Sequence, residues 1–170
     1  MTLPAAINPA DNGVSIMMLV ESVNAGVGVG TAIGALSSGG DEVLRLYGGD
    51  ESVEDWHVTV GGGAATDTGA PTEAQAQTVV ITWDGNSDSA KFYMAGALID
   101  GAMTANAVGG ADDYWAKITF FNRATPGDTA TDNYQGVSVF HCVYDREITA
   151  AEVVEITDIA EYWVANGEAP

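Results

Sequence analysis

Residues 134–156 read YQGVSVFHCVYDREITAAEVVEI, and this stretch predicts a strand that leads directly into a capped helix. Side chains alternate between the two faces of an extended backbone. Over residues 136–144 both faces carry mostly apolar side chains, so we expect an inner strand of a sheet. The two faces are Val137, Val139, His141 and Val143 on one side, and Ser138, Phe140, Cys142 and Tyr144 on the other.

The start of the helix is specified by the sequence Thr149-Ala150-Ala151-Glu152. This is a capping box, in which the threonine hydroxyl and the glutamate carboxylate each bond a backbone amide that has no helical partner. A single amphipathic helix in a chain rich in strand signals is expected to pack on a sheet. Its apolar stripe is Val153, Ile156, Ala160 and Trp163.

The composition favours strands joined by tight turns. The chain of 170 residues has 21 glycines, four tryptophans, six tyrosines and four phenylalanines, with many short Val/Ile/Thr runs. We expect an all-β fold, a two-sheet antiparallel jelly-roll sandwich with one short C-terminal α-helix, over residues 14–170. Residues 1–13 hold two prolines and an Asp-Asn-Gly turn, and are interpreted as an N-terminal arm or loop rather than a strand.

Four stretches resemble the laminin-G-like domains of the concanavalin A-like lectin/glucanase superfamily. Residues 143–153 (VYDREITAAEV) are similar to the closing strand, corner and helix start of that family. Residues 79–85 (VVITWDG) and 91–98 (KFYMAGAL) resemble its central hairpin. Residues 118–123 (ITFFNR) resemble the next strand, with Phe121 where the family usually has glycine. The resemblance implies a jelly roll that binds ligands at one rim, often with calcium.

The formal net charge is −19, from 24 acidic and five basic residues. Binding a phosphate backbone or an anionic membrane requires a positive patch, so we expect neither nucleic acid nor a membrane as a partner. The acidic residues are scattered along the chain. Three interpretations of them are open: a solvated surface suited to salty surroundings, cation sites, or a surface that docks on a basic partner.

Cys142 is the only cysteine, so no disulfide can form within the chain. Its place in an apolar strand indicates a buried structural thiol rather than a nucleophile. The N-terminus MTLPAAINPADNG lacks the basic start and unbroken apolar segment of a secretory signal. We therefore expect a protein made in the cytoplasm that can leave the cell by another route, such as assembly into a virus particle.

Catalysis by a glycoside hydrolase of this superfamily needs paired carboxylates on one strand, typically spaced as Glu-x-Asp-x-x-Glu. That spacing does not occur in the chain. The nearest acidic group is Glu51, Glu54 and Asp55, which we interpret as a turn and a strand start. His57 and His141 lie in separate strand patterns and suggest no catalytic triad. The sequence predicts a protein without catalytic activity.

Calcium is a candidate cofactor, because Asp, Asn and loop carbonyl oxygens are the hard ligands that it prefers. No EF-hand loop occurs, and Asx residues in turns commonly bond their own backbone, so a purely structural interpretation stays open beside the calcium site. The candidate ligands are Asp84, Asn86 and Asp88 in one turn, Asp112 and Asp113 in a second, and Asp128 and Asp132 in a third.

Glycan binding on the resembled fold uses aromatic rings against sugar faces, with polar groups from nearby loops. Tyr47, Trp115 and Tyr134 lie near predicted loop ends and are the candidate sugar-binding residues. Each of them is alternatively a core or sheet-packing residue.

The sequence therefore predicts a non-catalytic surface or binding module. The leading hypothesis is a bacteriophage virion surface protein, either a capsid decoration or a tail-associated protein, located on the virion. Its expected partners are other virion proteins or glycans, and a homo-oligomer is compatible with this role. The alternatives are a calcium-assisted carbohydrate-binding lectin-like domain of a secreted protein, and a divergent glycoside hydrolase.

Overall fold

The computed structural model describes residues 2–22, 30–37, 39–48, 56–61, 66–67, 76–110, 114–120 and 136–167. The elements in chain order are β1 (Thr2–Ile7), α1 (Pro9–Asn12), β2 (Val14–Ser22), β3 (Gly30–Ser37), β4 (Glu42–Gly48), β5 (Trp56–Val60), β6 (Thr66–Asp67), β7 (Ala76–Trp83), β8 (Ser89–Met94), β9 (Ala97–Thr104), β10 (Trp115–Phe120), β11 (Gly136–Tyr144) and α2 (Ala150–Asn166).

The described strands form two antiparallel sheets, which confirms the predicted sandwich. The six-stranded sheet has the order β1-β10-β3-β4-β5-β6, and the five-stranded sheet has the order β11-β2-β7-β8-β9. Inner strand β2 shows how the layers are arranged. Ile16 and Met18 face the core between the sheets, whereas Met17 and Leu19 lie in a second cluster with residues of α2. The helix therefore covers the outer face of the five-stranded sheet.

Helix α2 begins where the capping box predicts. Thr149 is its N-cap, and both reciprocal bonds with Glu152 are present. Val153 and Ala160 are buried against the sheet, and Ile156 packs beside them. Neither described helix has the length and apolar character needed to cross a bilayer.

Strand β11 has the predicted bounds, but its predicted inner position is wrong. In the described sheet it pairs with β2 alone and forms one edge. Phe140, Cys142 and Tyr144 pack against the cluster beneath α2, while Val143 packs against the core between the sheets. Because a helix covers its outer face, this edge strand carries the apolar pattern of an inner strand.

The interpretation of residues 1–13 as an arm or loop is corrected for residues 2–12. Thr2–Ile7 is an edge strand paired with β10, and Pro9–Asn12 is one helical turn capped by the Asn8 side chain. Prolines suit both places, because an edge strand and a first helical position do not need every amide. The turn packs so closely on Gly85 that a Cβ there would lie 2.3 Å from the Pro9 carbonyl carbon.

Candidate ligand-binding site

Strands β4 and β5 of the six-stranded sheet each have one face toward the core and one face toward the outside. Their buried core residues include Leu44, Leu46, Val58 and Val60. Side chains alternate along each strand, so the intervening residues point outward. On the outer face, Arg45 pairs with Thr59 and Tyr47 pairs with His57 in the strand register. Antiparallel pairing thus brings together side chains of two strands that are separate in sequence.

The pairing of Tyr47 with His57 creates an aromatic surface. The two rings are stacked, with centroids 5.0 Å apart and an angle of 21° between their planes. The Arg45 guanidinium carbon lies 4.1 Å from the centroid of the Tyr47 ring, in cation–π geometry. All three side chains are partly exposed. We refer to Arg45, Tyr47 and His57 as the Tyr47 platform.

Small and hydroxyl-bearing residues continue the row beside Arg45. Gly34 of β3 pairs with Arg45 on one side and with Thr119 of β10 on the other. The Thr119 hydroxyl donates to the Gly34 carbonyl at 3.4 Å. Gly34 itself is buried, so this part of the row belongs to the packed sheet.

The side chains of the Tyr47 platform have the chemistry that suits a polyhydroxylated ligand. Aromatic faces contact apolar C–H surfaces, and a guanidinium group donates hydrogen bonds to hydroxyl or carboxylate oxygens. Sequence reasoning identified Tyr47 but missed Arg45 and His57. Alternation in β4 already placed Arg45 on the face of Tyr47. The contact with His57 depends on the register between two strands, which the local sequence does not specify.

Trp115 is a core residue, which corrects its candidacy as a sugar-binding ring. It is 1% exposed and lies in the cluster between the two sheets. Its indole N–H has no hydrogen-bond partner in the described part of the chain. A ring with this burial is not available to a ligand on the surface. Tyr134, the third aromatic candidate, lies outside the described residues.

The turn proposed for calcium uses its polar side chains to hold the backbone. Asp84 Oδ1 accepts from the amides of Asn86 and Ser87 at 2.9 and 2.7 Å. Asp88 Oδ1 accepts from the Ala107 amide at 3.2 Å, and the Asn86 side-chain amide donates to the Ala10 carbonyl at 2.9 Å. These bonds fit the structural interpretation of the turn.

Within the ranges that the structure covers, no three His, Cys, Asp or Glu side chains are grouped so that they could hold a metal. The remaining calcium candidates lie outside those ranges: Asp112, Asp113, Asp128 and Asp132. The acidic group considered for hydrolysis also lies outside them: Glu51, Glu54 and Asp55. Calcium binding therefore stays a prediction.

The two histidines lie on separate strands, as their strand patterns predicted, and the structure places these strands in different sheets. His57 belongs to the Tyr47 platform on β5, whereas His141 lies on β11. The His141 ring packs on the Phe120 ring of β10, with centroids 3.9 Å apart and planes at 30°. Each histidine is thus part of an aromatic pair.

A second concave surface lies where the sheet edges β1 and β11 approach each other. It has a cavity volume of about 710 Å³, and sequence reasoning did not predict it, because it depends on the order of strands in both sheets. We refer to it as the edge groove. Its lining includes Ala5, Ala6, Asp11, Phe120, His141 and Asp145.

Cys142, which was expected to be a buried structural thiol, is partly buried and also lines the edge groove. Burial nevertheless raises its pKa, while its hydrogen bond with Tyr144 has a smaller lowering effect. The pKa of Tyr144 is raised to about 12 by burial first and by Cys142 second. A raised thiol pKa disfavours the thiolate that nucleophilic chemistry requires.

Comparison with known proteins gives structural matches without sequence matches. No protein-family model and no curated protein matches this chain. The native heptameric SAP-like pentraxin from Limulus polyphemus matches with a TM-score of 0.72 and 14% identity, over 92% of this chain and 72% of that protein. The likeness shows the fold. This fold is a two-sheet jelly-roll sandwich.

Two further structures support the same fold. The CBM40 of Ruminococcus gnavus IT-sialidase, bound to α2,3-sialyllactose, matches with a TM-score of 0.66 and 14% identity, over 88% of this chain and 84% of that one. Trypanosoma rangeli sialidase in complex with the inhibitor DANA matches with a TM-score of 0.68 and 19% identity, over 90% of this chain. The chain spans only 24% of the length of that sialidase.

Proposed function

We propose that the protein is a non-catalytic module that binds glycans through the Tyr47 platform. The observation that supports this proposal most directly is the stack of Tyr47 on His57. The Arg45 guanidinium carbon lies 4.1 Å from the centroid of the same tyrosine ring. Partly exposed aromatic rings suit contact with sugar C–H groups, and the guanidinium group beside them suits oxygen-rich ligands. The CBM40 neighbour, whose structure contains α2,3-sialyllactose, supports a sugar as the class of ligand.

Replacing Tyr47 by Ala tests the proposal directly. Loss of the ring is expected to weaken binding of a sugar ligand by roughly fivefold to tenfold, since an aromatic contact contributes about 1 kcal/mol. Isothermal titration with α2,3-sialyllactose and with lactose measures the change. Arg45→Gln is expected to weaken binding of α2,3-sialyllactose more than binding of lactose, because only α2,3-sialyllactose carries a carboxylate.

Tyr162→Ala is the matched control, because Tyr162 is 45% exposed on α2 and lies away from the six-stranded sheet. It is expected to leave both affinities unchanged. Equal binding by Tyr47→Ala and the unaltered protein would reject the platform. Release of reducing sugar from either glycan, abolished by a single Asp or Glu substitution, would reject the non-catalytic part of the proposal.

Three finer assignments belong to this proposal. The resemblance of residues 143–153 to laminin-G-like domains supports membership of that group and calcium-assisted binding. Titration with α2,3-sialyllactose in the presence of calcium and of a chelator tests the second point. Equal affinities under the two conditions would exclude a role of calcium in sugar binding. The heptameric pentraxin neighbour supports self-assembly, which sedimentation velocity measures.

We also propose that the module is displayed on a bacteriophage virion, as a capsid decoration or tail-associated protein. The acidic charge of −19 supports a role outside nucleic-acid packaging, since it opposes contact with a phosphate backbone. Mass spectrometry of purified particles tests the location. Many symmetric copies per particle would support it, and absence from particles would leave the secreted lectin-like module.

A further inference from the structure

We propose that the edge groove binds an extended segment of a partner protein that carries an arginine or lysine side chain. The groove lies between β1 of one sheet and β11 of the other, away from the Tyr47 platform on β4 and β5. Its volume of about 710 Å³ falls in the range of sites that enclose sizeable ligands.

The charge of the groove selects a cationic partner. Asp11 and Asp145 line it and are both exposed, and none of its described lining residues is Lys or Arg. Arg146 follows Asp145 directly, but its guanidinium group bonds both Glu152 oxygens, at 2.6 and 3.1 Å. The neighbouring cation is thus already engaged by another carboxylate, and the net charge of −19 attracts a basic partner over distance.

The aromatic part of the groove suits the stem of a basic side chain. His141 is exposed, and its ring packs on Phe120 at a centroid separation of 3.9 Å. Aliphatic stems of Arg and Lys pack on apolar surface while their charged ends reach polar groups. A guanidinium or ammonium group is also attracted to an aromatic face. Carboxylates and rings in one groove therefore match both parts of an Arg or Lys side chain.

The backbone of β1 favours a polypeptide over a small cation. The register between β1 and β10 matches Thr2 with Lys117 and Ile7 with Trp115, and it is irregular between them. Ala5 and Ala6 lie in this irregular section, are exposed, and line the groove. Their small side chains let another backbone approach, and an extended segment can add its main-chain hydrogen bonds at a strand edge.

The test uses the whole chain and a fluorescent probe, the peptide acetyl-Val-Arg-Val-Arg-Val-amide, with binding followed by anisotropy. Asp11→Asn and Asp145→Asn are each expected to weaken binding about twofold to fivefold, and the double variant about tenfold. Asp158→Asn on exposed α2 is the matched control with the same change of charge, and it should alter the Kd by less than twofold. His141→Ala should weaken binding of the probe, and a cooperative thermal melting curve checks that the variant is folded.

Every outcome decides the inference. Equal binding by the double variant and by Asp158→Asn would show that only overall charge matters and would overturn it. Acetyl-arginine amide that binds as tightly as the peptide would also overturn it, in favour of a small-cation site. Equal binding of a peptide with Gln in place of Arg would reject the basic side chain. Sugar binding at Tyr47 is independent of these variants, so failure here leaves the glycan proposal intact.

Discussion

At the scale of single residues, two buried tryptophans differ by one hydrogen bond. Trp83 and Trp115 are 2% and 1% exposed and lie in the same core cluster. The Trp83 indole N–H donates to the Ser87 carbonyl at 2.9 Å. The corresponding group of Trp115 has no partner among the described residues. Burial without a partner costs free energy that a bonded donor does not lose.

Replacing each tryptophan by phenylalanine separates this difference from the loss of volume. Both substitutions remove the same atoms and leave comparable cavities. Trp83→Phe also breaks a hydrogen bond, whereas Trp115→Phe removes an unbonded donor. We expect Trp83→Phe to lower the free energy of unfolding by about 1 kcal/mol more than Trp115→Phe, measured by urea denaturation. Equal losses would show that the Trp115 N–H is satisfied in solution.

Tyr47 lies on the outer surface, as a binding residue requires, whereas Trp115 lies in the core, and local sequence could not distinguish them. Both are aromatic residues near the end of a strand, so their local signals are the same. Alternation assigns a residue to one of two faces but does not say which face meets the other sheet. That choice is made by packing between sheets, which places Trp115 in the core and Tyr47 on the outer surface.

At the scale of elements, the capping box fixes where α2 begins. The Glu152 amide donates to the Thr149 hydroxyl at 3.3 Å, and the Thr149 amide donates to Glu152 Oε2 at 2.7 Å. Thr149→Ala is expected to lower the free energy of unfolding by about 1 kcal/mol. Thr104→Ala, on the exposed end of β9, is a control with a smaller expected loss. Equal effects in urea denaturation would contradict a special role of the cap.

The same box makes stability depend on pH. Hydrogen bonds from Arg146 and then from Thr149 lower the pKa of Glu152 from 4.5 to about 2. A lowered folded-state pKa gives stability that is present above the unfolded value and is lost as pH falls toward 2. Glu152→Gln is therefore expected to flatten the acid branch of a plot of unfolding free energy against pH between about 4.5 and 2. An unchanged acid branch would exclude Glu152 as its source.

Local sequence signals predicted accurate bounds for the elements that carry them. They did not predict where the strands lie in the sheets. Alternation and capping residues act within a few positions, so β11 and the start of α2 follow from residues 136–152. The edge position of β11 depends on β2, more than a hundred residues earlier in the chain. Strand β1 was missed because Pro4 weakens a strand signal that an edge position tolerates.

At the scale of the whole molecule, the excess of carboxylates is expected to oppose self-association and to favour binding to a basic partner. The chain has five basic residues, and the side chains of Lys91 and Arg146 are bonded to Glu147 and Glu152. Added salt screens such charges, with a screening length that falls from about 10 Å at 0.1 M to about 3 Å at 1 M. Self-association should therefore increase with salt, while attachment to a basic partner should weaken.

If the chain sits on particles through the edge groove, salt should release it. The copy number per particle, measured by gel densitometry, is expected to be retained after dialysis to about 0.01 M salt and reduced at about 1 M. Asp158→Asn particles serve as the control and should behave like the unaltered ones. Retention at high salt with loss at low salt would instead indicate apolar anchoring and would contradict docking by charge.

The position of β2 between β7 and β11 also bears on how the protein is synthesised. Its apolar residues emerge from the ribosome more than a hundred residues before β11, its partner on one side. During translation the nascent chain therefore exposes an incomplete sheet, whose unpaired strand edge is prone to aggregation. Pairing between strands that are distant in sequence slows folding. Co-expressed chaperones should therefore raise the yield of soluble protein more than a lower growth temperature does.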